Sequence, residues 1–315
     1  MTERLYFPYG EYLREKYGEK VYKLPVNLPV SCPNRREGKS CSFCADVGTG
    51  FEALPGKIPV GKQLEASRKK VEKRYHAHKF IAYFQNFTNT FLPLETLLSY
   101  MEEAAAQPDV VELCISTRPD CVREDYLEAF SLFRKEKGIE ISLELGLQTV
   151  NYHTLQKINR GHGLAEFLDA VLMISRYQFP VCVHMILNLP GDCMEDAKEG
   201  ARILSSLPIS MVKLHSLYIP VNSVLCQEYR DGKISVCSKE EYLDRLSEFM
   251  ALLRPDIAVE RLFSRIPKKD AAFCNWGESW WKLTDEWKEQ MERKHYVQGC
   301  RYHYLKGAAL NRWGM

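Results

Sequence analysis

Six apolar runs, each seven to nine residues long, alternate with amphipathic charged stretches between residues 21 and 219, and this alternation restricts the chain to few folds. The runs are VYKLPVNL (21–28), KFIAYFQ (79–85), VVELCIST (110–117), EISLELGL (140–147), VCVHMILNL (181–189) and MVKLHSLYI (211–219). Several are nearly continuous apolar stretches, the pattern of strands covered on both faces. The segments between them, such as LETLLSYMEEAAAQ and LAEFLDAVLMISRY, carry the helical period. Strand–helix–strand alternation predicts a parallel sheet with right-handed crossovers. Six units fall short of the eight that close a barrel, so the expected architecture is α/β, a partial (β/α)6 TIM-type barrel. The 315 residues, 45% of them hydrophobic, suffice for its core. In such folds the site gathers at the C-terminal ends of the strands. Polar segments stand there: cysteines after the first run, QNFTNT after the second, TRPD closing the third and Gln148 after the fourth.

The alternation stops near residue 238. Residues 1–238 are therefore expected to form the barrel, with a lead-in over 1–20, and residues 239–315 a C-terminal helical extension that starts with SKEEYLDRLSEFMALL. The N-terminus shows no charged leader before an apolar run, and no apolar stretch is long enough to span a bilayer, so a cytoplasmic protein is expected. A net charge of +2 argues neither for nor against nucleic acid. In a reducing compartment the 11 cysteines are expected to be ligands, reactive thiols or small buried hydrophobes.

Three of those cysteines, Cys32, Cys41 and Cys44, fall within SCPNRREGKSCSFCADVG (31–48), and the other eight are scattered singly. A structural zinc site needs four ligands, and the nearest histidines, His76 and His78, lie beyond a predicted helix. Three thiolates suit a [4Fe–4S] cube with one iron left open. The other readings are zinc with a distant fourth ligand, and three loop cysteines that bind nothing.

The cysteine loop resembles that of the radical S-adenosylmethionine (SAM) superfamily. Its gaps of eight and then two residues are similar to those of the elongator-type catalytic subunits and a short bacterial branch related to them. Other stretches resemble the same relatives: TRPD (117–120), ELGLQT (144–149) followed by INRGH (158–162), and NLPGD (188–192). The resemblance implies one [4Fe–4S] cluster held by Cys32, Cys41 and Cys44, with SAM on the open iron. It also implies an adenine beside Phe43, a ribose near Gln148 and the SAM carboxylate on Arg160, with Thr88, Ser116 and His184 as further contacts. An Arg offers a planar fork to a carboxylate, and an amide can bond a diol. Two departures stand out. His184 occupies a position where relatives place an Asp, and YFQNFTNTFLP (83–93) lacks the paired glycines with which they end the second strand.

The implied chemistry is reductive cleavage of SAM to methionine and a 5′-deoxyadenosyl radical, fed by an electron donor such as flavodoxin or ferredoxin. Basic and aromatic residues interleave in RKKVEKRYHAHK (68–79) and in RKHYVQGCRYHYLKGAALNRW (293–313), a mixture that suits RNA, though a solvated helix face for the first and a tail packing on the barrel for the second also account for it. The elongator-type relatives that the chain resembles act on the wobble uridine of tRNA, so the resemblance implies tRNA as substrate, with remodelling of a C5 substituent on that uridine, and no DNA partner is expected. The 315 residues include no acetyltransferase segment, so acetyl-CoA-dependent carboxymethylation by this chain is not expected. Two alternatives are a radical SAM enzyme acting on a small metabolite or porphyrin-like ring, and a zinc-stabilised RNA-binding module without catalysis.

Overall fold

The computed structural model describes residues 4–36, 38, 40–45 and 53–311. Each expected strand forms: β1 (Val21–Val26), β2 (Lys79–Phe84), β3 (Val110–Thr117), β4 (Glu140–Gln148), β5 (Val181–Ile186) and β6 (Met211–His215). They lie side by side in chain order, every pair parallel. The helices Val60–Tyr75, Leu94–Ala105, Glu124–Lys137, Leu164–Arg176 and Met194–Ser206 make the crossovers. After His215 the chain turns, and β7 (Tyr218–Pro220) leaves the main sheet. A seventh parallel strand, β8 (Ala258–Arg261), joins β6, and β9 (Ala271–Cys274) pairs antiparallel with β7. The partial barrel thus has seven strands where the pattern predicts six units. AVER holds two apolar residues, too few to register as a run. Its crossover is the helix Lys239–Leu252, which the pattern assigns to the extension. The helix Trp280–Arg293 then lays Leu283, Trp287 and Met291, one apolar stripe at four-residue spacing, into the core. Among the described residues no helix is long and apolar enough to cross a membrane.

The sheet is two-faced in a way that two-sided burial conceals. Leu113, Ile115, Leu143, Leu145, Val183 and Leu214 point outward and pack in the main core with the helices. The alternate positions turn inward and are polar: Glu112, Cys114 and Ser116 on β3, Ser142 and Glu144 on β4, Cys182 and His184 on β5, and Lys213 on β6. Strand pleating puts successive side chains on opposite faces, so the barrel carries a charged interior inside an apolar wall.

The helix Tyr9–Tyr17 packs against both β1 and β8, the two edges of the sheet. Just before it, the Phe7 carbonyl accepts from the Val259 N–H at 2.8 Å. The Phe7 N–H donates to Gln298 Oε1 at 2.8 Å, and the Gln298 N–H donates to the Leu5 carbonyl at 2.9 Å. The N-terminal segment is thereby threaded between β8 and the C-terminal region.

Candidate functional site

Beyond β1 the chain forms the cysteine loop. Cys32 opens a single helical turn, Pro33–Arg36, and its carbonyl accepts from the Arg35 N–H at 3.0 Å. The Cys44 N–H donates to the Cys41 carbonyl at 2.9 Å, closing the Cys-x-x-Cys turn. Residues 37, 39 and 46–48 of the stretch 31–48 lie outside the described residues. The loop is docked on the INRGH turn. Ser42 N–H donates to the Ile158 carbonyl at 2.9 Å, and Asn159 Nδ2 to the Ser40 carbonyl at 3.1 Å. Buried Asn34 donates to the carbonyls of Asn159 (2.9 Å) and Arg160 (3.1 Å).

Each cysteine sulfur has its own guanidinium within 4 Å: Arg118 for Cys32 (3.9 Å), Arg160 for Cys41 (3.7 Å) and Arg35 for Cys44 (3.6 Å). Asn34 adds an amide donor to Cys41 at 3.6 Å. Burial raises the Cys44 thiol, and Arg35 opposes that shift. Arg118 belongs to TRPD, whose role becomes plain: Asp120 grips its guanidinium at 2.9 and 2.7 Å and aims it at Cys32 and at the Arg160 carbonyl, 2.9 Å away.

An open cavity of about 670 Å³ lies over these sulfurs. Its wall contains Cys32, Cys41, Phe43, Cys44, Thr88, Ser116, Gln148, Arg160 and His184, so the fold brings together all nine residues singled out from the sequence. Arg160 is buried, and its NH2 donates to the Gly146 carbonyl at 2.6 Å, while Nε has no partner among the described residues. A Cβ at Gly146 would stand 2.8 Å from both Arg160 NH2 and Gln148 Nε2, so these two side-chain ends would have to shift to admit one. Gln148 ends β4 at φ 84°, a left-handed backbone that costs a non-glycine residue about 1–3 kcal/mol. Such strain at a strand end beside a cavity fits a site residue.

The segment after β2 explains the missing glycines. Phe87 supplies the left-handed conformation itself, at φ 57°, with the Arg35 guanidinium 5.0 Å above its ring. Asn89, fully buried, ties the turn down by donating to the carbonyls of Phe84 and Ser116, both at 2.8 Å. Thr90 and Thr117 join their hydroxyls at 2.6 Å. Thr88 is left lining the cavity.

Below the cavity, Glu144 is the centre of a buried charge network that the apolar look of the strands hides. Its carboxylate pairs with Lys23 and with Lys213 (3.4 Å), and accepts from Tyr83 Oη and His184 Nε2, each at 2.5 Å. Glu260 completes the network by pairing with Lys23 (2.6 Å) and Lys213 (2.7 Å). Burial pushes the Glu144 carboxyl up, but Lys213, Lys23 and His184 outweigh it and hold the group well below its ordinary range. Burial holds His184 as a neutral ring, with Glu144 opposing. With Nε2–H given to Glu144, the other ring nitrogen is an acceptor. Glu144, Cys182 and His184 are the one trio of candidate metal ligands within 4.8 Å of one another among the described residues. The two ammonium groups already on Glu144 make this an ion-pair network rather than a metal site. The signal that would have revealed it is the strict alternation of E-C-S, S-E and C-H along strands that otherwise look apolar.

A single zinc draws its thiolates to about 3.8 Å apart. The three loop cysteines do not gather that closely, since they are absent from the groups within 4.8 Å among the described residues. Splayed sulfurs, three guanidinium groups, and a buried Arg160 whose Nε has no partner among the described residues fit an anionic cluster with a carboxylate-bearing ligand.

The two basic–aromatic stretches contribute little to this mouth. In the first, Arg68 pairs with Glu72 and Lys69 with Glu65 on a solvated helix. In the second, Arg301 pairs with Glu248, and Tyr304 Oη donates to the Leu252 carbonyl at 2.8 Å, so the tail packs on the barrel. Arg312 and Trp313 of that stretch lie outside the described residues.

A seven-stranded parallel partial barrel with a three-cysteine loop at its mouth defines a class of barrel enzymes whose chemistry sits at the strand ends. The chain belongs to the radical SAM superfamily: the model of that superfamily matches residues 26–204, and the Radical_SAM C-terminal domain matches residues 209–293. This superfamily uses SAM and a [4Fe–4S] cluster. Protein YhcC of Escherichia coli (strain K12) is 30% identical over 315 residues, 98% of this chain and 97% of its own length. The tRNA uridine(34) acetyltransferase of Dehalococcoides mccartyi is 25% identical over 199 residues, 62% of this chain and 41% of the relative. Among solved structures, an N-terminal deletion (1–46) of archaeal Elp3 from Methanocaldococcus infernus superposes with a TM-score of 0.67 at 17% identity, covering 88% of this chain and 64% of that one.

Proposed function

We propose that this radical SAM enzyme remodels a C5 substituent of the wobble uridine of tRNA, taking electrons from a flavodoxin or ferredoxin. The observation that carries the reading lies at the mouth. Arg265, which lines a second cavity beside the first, stacks on the Trp280 ring at 3.8 Å, and Trp281, 59% exposed, stands edge-on to Trp280. Exposed rings beside a guanidinium are what an unstacked base docks on. The likeness to a tRNA uridine(34) acetyltransferase supports the same substrate class.

The cluster, when bound on Cys32, Cys41 and Cys44, supplies the electron that cleaves SAM to methionine and a 5′-deoxyadenosyl radical. The chain's own residues bind and orient. Arg160, whose Nε has no partner among the described residues, would hold the SAM carboxylate, Gln148 and the acceptor nitrogen of His184 would take ribose hydroxyls, and Phe43 would cover the adenine. Thr88 and Ser116 line the remaining wall. Arg160→Ala is expected to weaken SAM binding by about 1–3 kcal/mol through lost charge-assisted bonds. Calorimetry checks it, and unchanged affinity removes Arg160 from the SAM site.

The substrate reading is tested by comparing the modified nucleosides of tRNA from cells with and without the gene. A changed wobble-uridine derivative is expected, together with tRNA affinity that falls steeply with salt. An unchanged nucleoside profile defeats the reading.

A further inference from the structure

The second cavity, about 570 Å³, shares Phe43, Gln85, Gln148 and His184 with the first and extends toward β6 and β8. Its charges are one-sided. Lys213, Arg261 and Arg265 line it, and no carboxylate does among the described residues. Lys213 is balanced from below by Glu144 and Glu260. Arg261 is not balanced. It is half-buried, and among the described residues it makes no hydrogen bond or ion pair.

The strand register explains how it comes to face the cavity. Consecutive residues of a strand normally alternate faces, but the β6–β8 pairing slips between Val212 and Lys213, setting Arg261 opposite Lys213. Glu260 thus serves the lysines below while its neighbour Arg261 lines the mouth above. His215 adds no cation. Burial and the nearby Arg261 and Lys213 charges keep its ring neutral, and it stacks on His184 with 5.5 Å between centroids. A half-buried guanidinium without a counter-charge is costly unless a ligand supplies one, and its planar fork matches carboxylate or phosphate oxygens.

We propose that the second cavity is an anion-selective substrate pocket, in which Arg261 holds a carboxylate or phosphate of the substrate against the wall shared with the SAM-binding cavity. This deepens the tRNA reading, and rests on it in taking the second cavity as the substrate's. An anionic substituent on the base, or a backbone phosphate next to it, would supply the group.

The test is calorimetric titration of the full-length, cluster-reconstituted, SAM-loaded protein with acetate, with inorganic phosphate and with neutral acetamide. One anion is expected to bind and acetamide to give no signal. A preference for acetate assigns the pocket to a carboxylate, and a preference for phosphate to a phosphate. Arg261→Gln is expected to weaken that anion at least ten-fold, whereas Arg261→Lys, which keeps the charge but not the fork, falls between. Binding of neither anion, equal binding of acetamide, or anion binding unchanged in Arg261→Gln and Arg261→Lys overturns the assignment. An unaltered tRNA nucleoside profile alongside Arg261-dependent anion binding removes the uridine reading and leaves the pocket. The converse pair of results removes the pocket and leaves uridine.

Discussion

Cys41→Ala protein, purified without oxygen, is expected to lose its iron and sulfide and to form no 5′-deoxyadenosine from SAM under a strong reductant. Cys41 is the most enclosed of the three loop cysteines and receives donors from both Asn34 and Arg160. Removing its thiolate leaves two ligands where an open cube needs three, so about four irons per chain should fall toward none. A Cys193→Ala control distinguishes loop chemistry from general thiol loss, because Cys193 is exposed on the first turn of a crossover helix. The control should keep its iron. Full iron in the Cys41 variant, or zinc without iron or sulfide in the wild type, would sink the cluster assignment.

The largest stability effect is expected at Glu144. Glu144→Leu removes the carboxylate shared by Lys23, Lys213, Tyr83 and His184, and leaves two buried ammonium groups to the single carboxylate of Glu260. Breaking a buried pair from one side costs about 3–5 kcal/mol, because the surviving charge stays in a poor solvent. Urea unfolding measures it, and a loss below about 1 kcal/mol would mean that Glu260 neutralises both lysines unaided. Acid should act through the same groups. Glu144 and Glu260 are held below the ordinary 4.5, so their contribution is present above that value and is lost as the pH falls toward their folded values. His184 and His215 are held below the ordinary 6.5, so protonating the unfolded chain begins to erode stability already from about 6.5 downward. Urea midpoints taken from about pH 8 to about pH 4 should therefore fall in two stages, the lower one flattened in Glu144→Leu. A single-stage decline identical in both proteins would contradict the network.

The strands and their order were legible because each of the six runs is long and bounded by helical pattern. That Cys32 and Gln148 line one cavity was legible from their places at strand ends, whereas His184, inside β5, was singled out only through the resemblance. β8 was not, since AVER is short and its partners are set by a bulge that no local pattern records. The interior charges were hidden by a different cause. Glu144 and Lys213 sit singly among apolar neighbours, and their meaning appears only when strands far apart in sequence bring them within bonding distance. The glycine-free turn shows the reverse difficulty: Phe87 adopts a backbone that its side chain disfavours, in a turn tied down by buried Asn89 with the Arg35 guanidinium above the ring.

The threading of residues 5–8 has a consequence for the order of events during synthesis. Phe7 leaves the ribosome well before both of its partners, yet its carbonyl bonds Val259 and its N–H bonds Gln298, 291 residues further along the chain. These two bonds can form only after residues 259 and 298 have emerged. β1 to β5, which together with the loops after them carry every residue lining the cysteine cavity, can assemble earlier. The join between the two sheet edges is made last, so a late truncation leaves the cysteine loop's strands in place and the two ends of the sheet untied.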